Sequence, residues 1–247
     1  MASATDMPET PSTLLGRGLF GRGEEEPLLG RAGDASLEEG KPLYHNFLIG
    51  TGVVAQAGIW ILIGIVWGAI FSHKLIFFSA HPLLNSAGLL LVTQAALVLQ
   101  PTHTPDQKRQ GTYVHLALND LGIACLTAGL VVIELNKFGH HGTHFESPHA
   151  IMGLITYILL LIQATIGFTQ YLVPQLYGSV DNAKKIYKYH RMSGYVILTL
   201  GLATVAAATQ TDYSKGILHI QLWAVLVASV VTLAGVLPRI KKQKLGL

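Results

Sequence analysis

The sequence predicts an all-α membrane protein of six transmembrane helices around a central four-helix bundle. Three observations predict it. Half of the 247 residues are hydrophobic and only 13% are charged, against roughly a quarter charged in soluble domains. The apolar residues fall in blocks, and a helix needs about 20 such residues to cross a bilayer. Each of four consecutive blocks also carries one histidine. Lipid offers the backbone no hydrogen bonds, so a lone chain of this pattern should close into helices.

Residues 1–43 are rich in Gly, Pro, Ser and Glu and cannot bury a core, so they are expected to be a disordered tail. Within them "EEEPLL", Glu24 to Leu29, resembles the acidic dileucine sorting signal of vacuolar and lysosomal membrane proteins. The plainer reading is a solvated acidic tail. The transmembrane domain is expected over 44–238. Its spans run at about Phe47–Ile70, Leu75–Leu99, Tyr113–Leu135, His149–Val173, Tyr189–Ala208 and Ile217–Leu237, followed by a basic tail over 239–247. The lone Cys125 lies mid-span in the third block and reads as a small packing residue.

Orientation follows from the cations. With the N-terminus inside, only Lys74, Lys137 and Lys215 of the seventeen Lys and Arg fall outside. So strong a bias places both termini in the cytosol.

His81, His115, His149 and His190 begin spans two to five. Successive helices run in opposite directions. His81 and His149 therefore share a depth near the outer side, and His115 and His190 share one near the cytosol. Ionisable side chains inside a membrane are costly and functional by default. A facing histidine pair can hold a metal, relay protons, or clamp a haem iron from both faces. Zinc would want four ligands, and no Cys or carboxylate lies at these depths. A haem needs only two axial nitrogens. Any one of these histidines alone reads as a helix-end residue hydrogen-bonded to a neighbour. Four of them, paired by leaflet, read as a set.

The stretches "FSAHPLL" (His81), "YVHLALN" (His115), "SPHAIMG" (His149) and "YKYHRMSGY" (His190) resemble the cytochrome b561 family over residues 47–237. The histidine spacings of 34, 34 and 41 carry the likeness. The resemblance implies a six-span electron carrier with two haem b groups, ligated by His81 with His149 and by His115 with His190. It implies a cytosolic donor, typically ascorbate, and an outer acceptor, monodehydroascorbate or a ferric chelate, in an ascorbate-dependent reductase that is often a homodimer. One motif departs. Where ascorbate-reducing members carry "ALLVYRVF", this chain reads "AALVLQPTH", Ala95 to His103, like the branch that includes a tumour-suppressor-type protein. The donor's identity is thereby left open.

Docking an anionic donor needs cations near the inner pair. Lys188 and Arg191 flank His190, and Lys108, Arg109, Lys184 and Lys185 lie in adjacent loops; the bland reading is that they only set topology. On the outer side "HHGTH" supplies His140, His141 and His144, with His73 and His219 facing the same compartment. Imidazoles bind iron and copper, so the cluster is a candidate metal-acceptor site, against chance histidines in a polar loop. His219 is the rival axial ligand. Asp120 is the one acidic residue well inside a span. It is expected to pair with a nearby cation, take a proton, or bond a neighbouring helix. Gln94 and Gln163 should bond between helices, and Tyr113 and Tyr195 should anchor at the interfaces.

Two other classes compete: a transporter or proton channel using the histidines as a relay, and a haem-free membrane adaptor. The prolines near the spans all lie close to span ends, against the broken mid-membrane helices of transporters. An endosomal, vacuolar or lysosomal membrane is the expected location. No nucleic-acid partner is expected; the lipid bilayer is the surrounding partner.

Overall fold

The structure, a computed structural model, describes residues 33 and 35–245; the dileucine-like stretch lies outside them. Among the described residues, six helices are long and apolar enough to cross a membrane. They are α1 (Gly52–Phe71), α2 (Ala80–Leu99), α3 (Pro105–Gly139), α4 (Pro148–Leu172), α5 (Val180–Ala208) and α6 (Leu222–Val236). The protein is a multi-pass integral membrane protein. We call the end of the bundle where both ends of the described chain lie the basal end, and the opposite end distal.

Two helices start earlier than their apolar blocks. α3 begins at Pro105 rather than Tyr113, and α5 at Val180 rather than Tyr189. Both starts are capped. Thr104 Oγ1 accepts from the Gln107 backbone at 3.3 Å while the Gln107 side chain accepts from Thr104 N at 3.4 Å, a capping box with Pro105 at the first position. Ser179 Oγ accepts from Asn182 N at 3.1 Å. Each helix also has an aspartate in its first turn, where the helix dipole favours negative charge. At 1.5 Å per residue, α3 is about 52 Å long, well beyond a hydrocarbon core of about 30 Å. Lys108, Arg109, Lys184 and Lys185, expected in loops, therefore stand on helix. α6 starts later than expected, because Ser214–Leu218 form a π-helical turn that ends at His219 with φ +53°.

The helices pack as three close pairs: α2 with α3, α1 with α6, and α4 with α5. Small residues let the backbones approach. A Cβ on Gly88 of α2 would stand 2.8 Å from the Gly122 carbonyl of α3, and one on Gly235 of α6 would stand 2.0 Å from Ala55 N of α1. The buried apolar core lies among α1, α2, α5 and α6, on Ile59, Leu62, Leu97, Leu198, Leu202 and Val225. In contrast α2 meets α5, and α3 meets α4, only sparsely. The looser seam between those two pairs is where the histidines stand.

Polar clamps tie α1 to α2. The Gln56 and Gln94 amides bond reciprocally at 2.6 and 3.0 Å, and Trp60 Nε1 donates to Gln56 Oε1 at 3.1 Å. Trp67 Nε1 donates to Ser86 Oγ at 2.9 Å. Replacing Gln94 by leucine should cost about 0.6–2 kcal/mol, the range for hydrogen bonds between membrane helices. Detergent-unfolding midpoints of Gln94→Leu and a Gln56→Leu, Gln94→Leu double variant check this, and the double variant should be less impaired than the sum of the singles.

The two tails pack further in than composition suggested. Leu37, expected in a disordered segment, is 1% exposed. Its N–H bonds Pro101 O at 3.2 Å and its carbonyl accepts from Gln107 Nε2 at 3.1 Å. Arg239, expected in the basic tail, is 2% exposed. Its Nη2 donates to Asn46 O at 2.6 Å and Leu97 O at 3.3 Å. The Leu97 carbonyl lies at the C-terminal end of α2, where the helix carries partial negative charge.

Candidate functional site

The four histidines occupy two tiers. His81 and His149 are each the second residue of their helix, α2 and α4, at the distal end. Pro148 sits at the first position of α4 and Ser147 Oγ caps it by accepting from Ala150 N at 3.2 Å. His115 and His190 are each the eleventh residue of α3 and α5, so both lie equally far in from the basal helix ends.

Each tier uses the backbone of the other helices to hold its rings. His81 Nδ1 lies 2.9 Å from Gly129 O of α3, His149 Nδ1 lies 3.0 Å from Thr204 O of α5, and His115 Nδ1 lies 2.8 Å from Ala95 O of α2. A carbonyl only accepts, so the proton sits on Nδ1 and Nε2 is left with a free lone pair, the arrangement that metal-bound imidazoles use. His190 differs. Among the described residues its Nδ1 is buried with no hydrogen-bond partner, and its ring lies against Gly167 of α4. In each of α2, α3 and α5, the histidine of one tier and the carbonyl serving the other are fourteen residues apart. That places the tiers about 21 Å apart along the helices.

The distal ring centroids are 6.2 Å apart and nearly perpendicular, at 88°. Two imidazoles bound through Nε2 to one metal, at about 2.0 Å per bond, would have ring centres about 6 Å apart. The distal pair therefore fits a shared axial metal. In the basal tier His115 and His190 stand at matching depth on α3 and α5. The residues present suit a porphyrin iron held from two sides.

Several further residues complete the surroundings of this site. Phe78 stacks on His81 at 5.5 Å, and Tyr213 meets Phe78 edge-on at 4.8 Å. Asn85 and Tyr157 join hands beside His81. Gln163 Nε2 donates to His190 O at 2.6 Å and Ser193 Oγ donates to Gln163 Oε1 at 2.7 Å, which fulfils the interhelical role expected of Gln163. Asn85 falls on the His81 face at i+4 and was recoverable; Tyr157 was not.

The six basic residues gather on the basal extensions of α3 and α5. Lys108, Arg109, Lys184, Lys185 and Lys188 are exposed there. Arg109 pairs with Asp106 at 3.6 Å and Lys184 with Asp181 at 3.5 Å. Lys188 lies over the Tyr189 ring at 5.0 Å, and Arg191 over Tyr187 at 5.8 Å. Tyr113 of α3 meets Tyr171 of α4 edge-on at 6.2 Å at the same end.

The distal histidine cluster does not assemble. His140 ends α3 with Nδ1 2.8 Å from Asn136 O, His141 sits in a left-handed turn at φ +52°, and His144 Nδ1 lies 3.3 Å from Glu134 Oε2. Among the described residues, no three His, Cys, Asp or Glu are placed to share a metal ion. His73 and His219 are exposed, so neither displaces His81 or His149. Asp120 is exposed on α3 and has no salt bridge to a cation among the described residues.

A family model described as eukaryotic cytochrome b561 matches residues 80–215, which include all four histidines. The chain is 27% identical over 177 residues to a transmembrane ascorbate-dependent reductase CYB561 of Pongo abelii, covering 69% of this chain and 67% of that one. It is 28% identical over 182 residues to the protein of that name from Ovis aries, with 71% and 69% covered. It is 23% identical over 133 residues to ascorbate-specific transmembrane electron transporter 2 of Zea mays, with 53% and 55% covered.

Proposed function

The chain belongs to the eukaryotic cytochrome b561 family, and from that premise we propose that it passes single electrons across a membrane through two haem b groups. His81 with His149 would hold one, and His115 with His190 the other. The donor is ascorbate or a similar reductant at the basal, cytosolic face, and the acceptor is monodehydroascorbate or a ferric chelate at the distal face. The carrying observation is the distal pair: perpendicular rings at 6.2 Å, each with Nδ1 committed to a backbone carbonyl. A haem b with two imidazole ligands is a one-electron couple with no open position for oxygen.

The chain's own part is to hold, insulate and attract. Carbonyl bonds fix the orientation and tautomer of three rings. The apolar spans keep water from both tiers. The basal cations raise the local concentration of an anionic donor, and the bias of Lys and Arg to that end makes it the cytosolic one. The compartment would be an endosomal, vacuolar or lysosomal membrane if the dileucine-like stretch is read there. A proton relay is the weaker reading, because a relay needs both ring nitrogens and three of these four rings have Nδ1 engaged.

The purified protein should show two low-spin b-type haems per chain, reduced by dithionite and by ascorbate; a colourless preparation overturns the proposal. Reversing charge at Lys184 and Lys188 (both to Glu) should slow ascorbate reduction several-fold at low salt. The gap should close as ionic strength rises and the Debye length falls to about 3 Å at 1 M. Equal rates for both proteins at low salt would leave the basic face with topology alone.

A further inference from the structure

We propose that Tyr157 and Asn85 act as a positioning pair that sets the redox potential of the distal tier through His81. The proposal rests on the haem reading above. Asn85 lies one turn below His81 on α2. Its Nδ2 donates to His81 O at 2.8 Å and stands 3.2 Å from His81 Nδ1. Tyr157, two turns below His149 on α4, donates its hydroxyl to Asn85 Oδ1 and also lies 2.9 Å from Leu126 O of α3. Gly129 leaves the space: a Cβ there would stand 2.4 Å from Asn85 Nδ2. Three helices thus meet at one amide beside one axial ligand.

The physical effect has a sign. The bond from His81 Nδ1–H to Gly129 O makes the imidazole more basic, which favours the oxidised metal. Asn85 brings the positive, hydrogen-bearing end of its amide to the same nitrogen and opposes that push. An amide can turn over, and turned over it would offer oxygen to Nδ1–H and push the other way. Tyr157 decides between them together with His81 O, which accepts a hydrogen bond from Asn85 Nδ2 at 2.8 Å. The tyrosine hydroxyl has one proton, given to Asn85 Oδ1, and this keeps the NH₂ end toward His81. Leu126 O, already within the α3 helix, does not need that proton. Asn119 bonds His115 O as Asn85 bonds His81 O, but at the ring nitrogens His81 stands apart: among the described residues His115 and His149 Nδ1 meet carbonyls alone, and His190 Nδ1 has no partner. The device therefore acts on the distal tier and leaves the basal one alone.

The test is a spectroelectrochemical titration of the purified full-chain holoprotein and of Tyr157→Phe and Asn85→Leu, with low-temperature EPR of the oxidised forms. In both variants one of the two midpoints should move to lower potential while the other stays, and the low-spin signal of the shifted haem alone should change. Should Asn85→Leu fail to hold the distal haem, Tyr157→Phe decides, because it keeps the ring and its packing and removes only the hydroxyl. Both midpoints at their wild-type values in Tyr157→Phe, or both displaced together, would overturn the proposal. Wild-type protein without haem would instead remove the reading on which it rests.

Discussion

Replacing His149 by alanine is expected to halve the haem content, from two per chain to one, and to reduce ascorbate-driven electron passage across a vesicle bilayer to the level of protein-free vesicles. His149 and His81 form the distal pair at 6.2 Å, and a single imidazole cannot hold an iron from both faces. The basal tier should survive intact, because its supports are separate. His115 bonds Ala95 O on α2, and His190 packs against Gly167 on α4, about 21 Å away along the helices. The fold should also survive. The lost bond from His149 Nδ1 to Thr204 O leaves a carbonyl inside α5, and α4 keeps its Ser147 cap and its pairing with α5. Pyridine haemochromogen assay per chain, together with ascorbate reduction of the remaining haem, checks this. The remaining haem should still accept electrons from the basal side, so initial reduction persists while transfer across the membrane stops. Two haems in His149→Ala would mean that the axial pair is misassigned.

Much of this architecture was legible in the sequence, and the reasons are physical. A membrane span must be apolar for a fixed length, so all six blocks fell on their helices and four of them matched closely at both ends. Antiparallel succession then fixes depth, which sets His81 level with His149 and His115 level with His190; the rings of the first pair stand 6.2 Å apart. What escaped was set by polar or distant residues. The starts of α3 and α5 lie outside the bilayer, where capping by Thr104 and Ser179 decides, and an apolar pattern is blind to it. Arg239 reads as one more tail cation, yet a carbonyl cluster from α2 and residue 46 buries it. Tyr157 and Asn85 are 72 positions apart, and no periodicity joins them. Nearness in sequence is not nearness of side chains: among the described residues His140, His141 and His144 do not form a three-residue metal-ligating group.

Gly167 offers the sharper experiment on the basal tier, because it leaves all four histidines in place. A Cβ added at this position would stand 2.7 Å from His190 Cε1 and 3.3 Å from Nε2. The ring cannot simply retreat. Its backbone is held by Gln163 Nε2 at 2.6 Å, and Gln163 is itself held by Ser193 at 2.7 Å. Alanine should therefore turn the imidazole away from His115 and weaken basal haem retention, and leucine should abolish it. Crowding of this kind costs about 1–3 kcal/mol in a packed interior, enough to lower stability without unfolding six helices. The matched control is Gly64→Ala in α1, where an added Cβ meets nothing within 4 Å; it should keep two haems. Haem per chain and the reduced α-band separate the outcomes. Gly167→Leu with one haem, its distal spectrum unchanged, is the expected result. Two haems and a wild-type spectrum would mean that His190 does not stand against α4 and that the basal pair is built in some other way. The glycine thus tests ligand placement independently of ligand identity, which histidine substitutions cannot do.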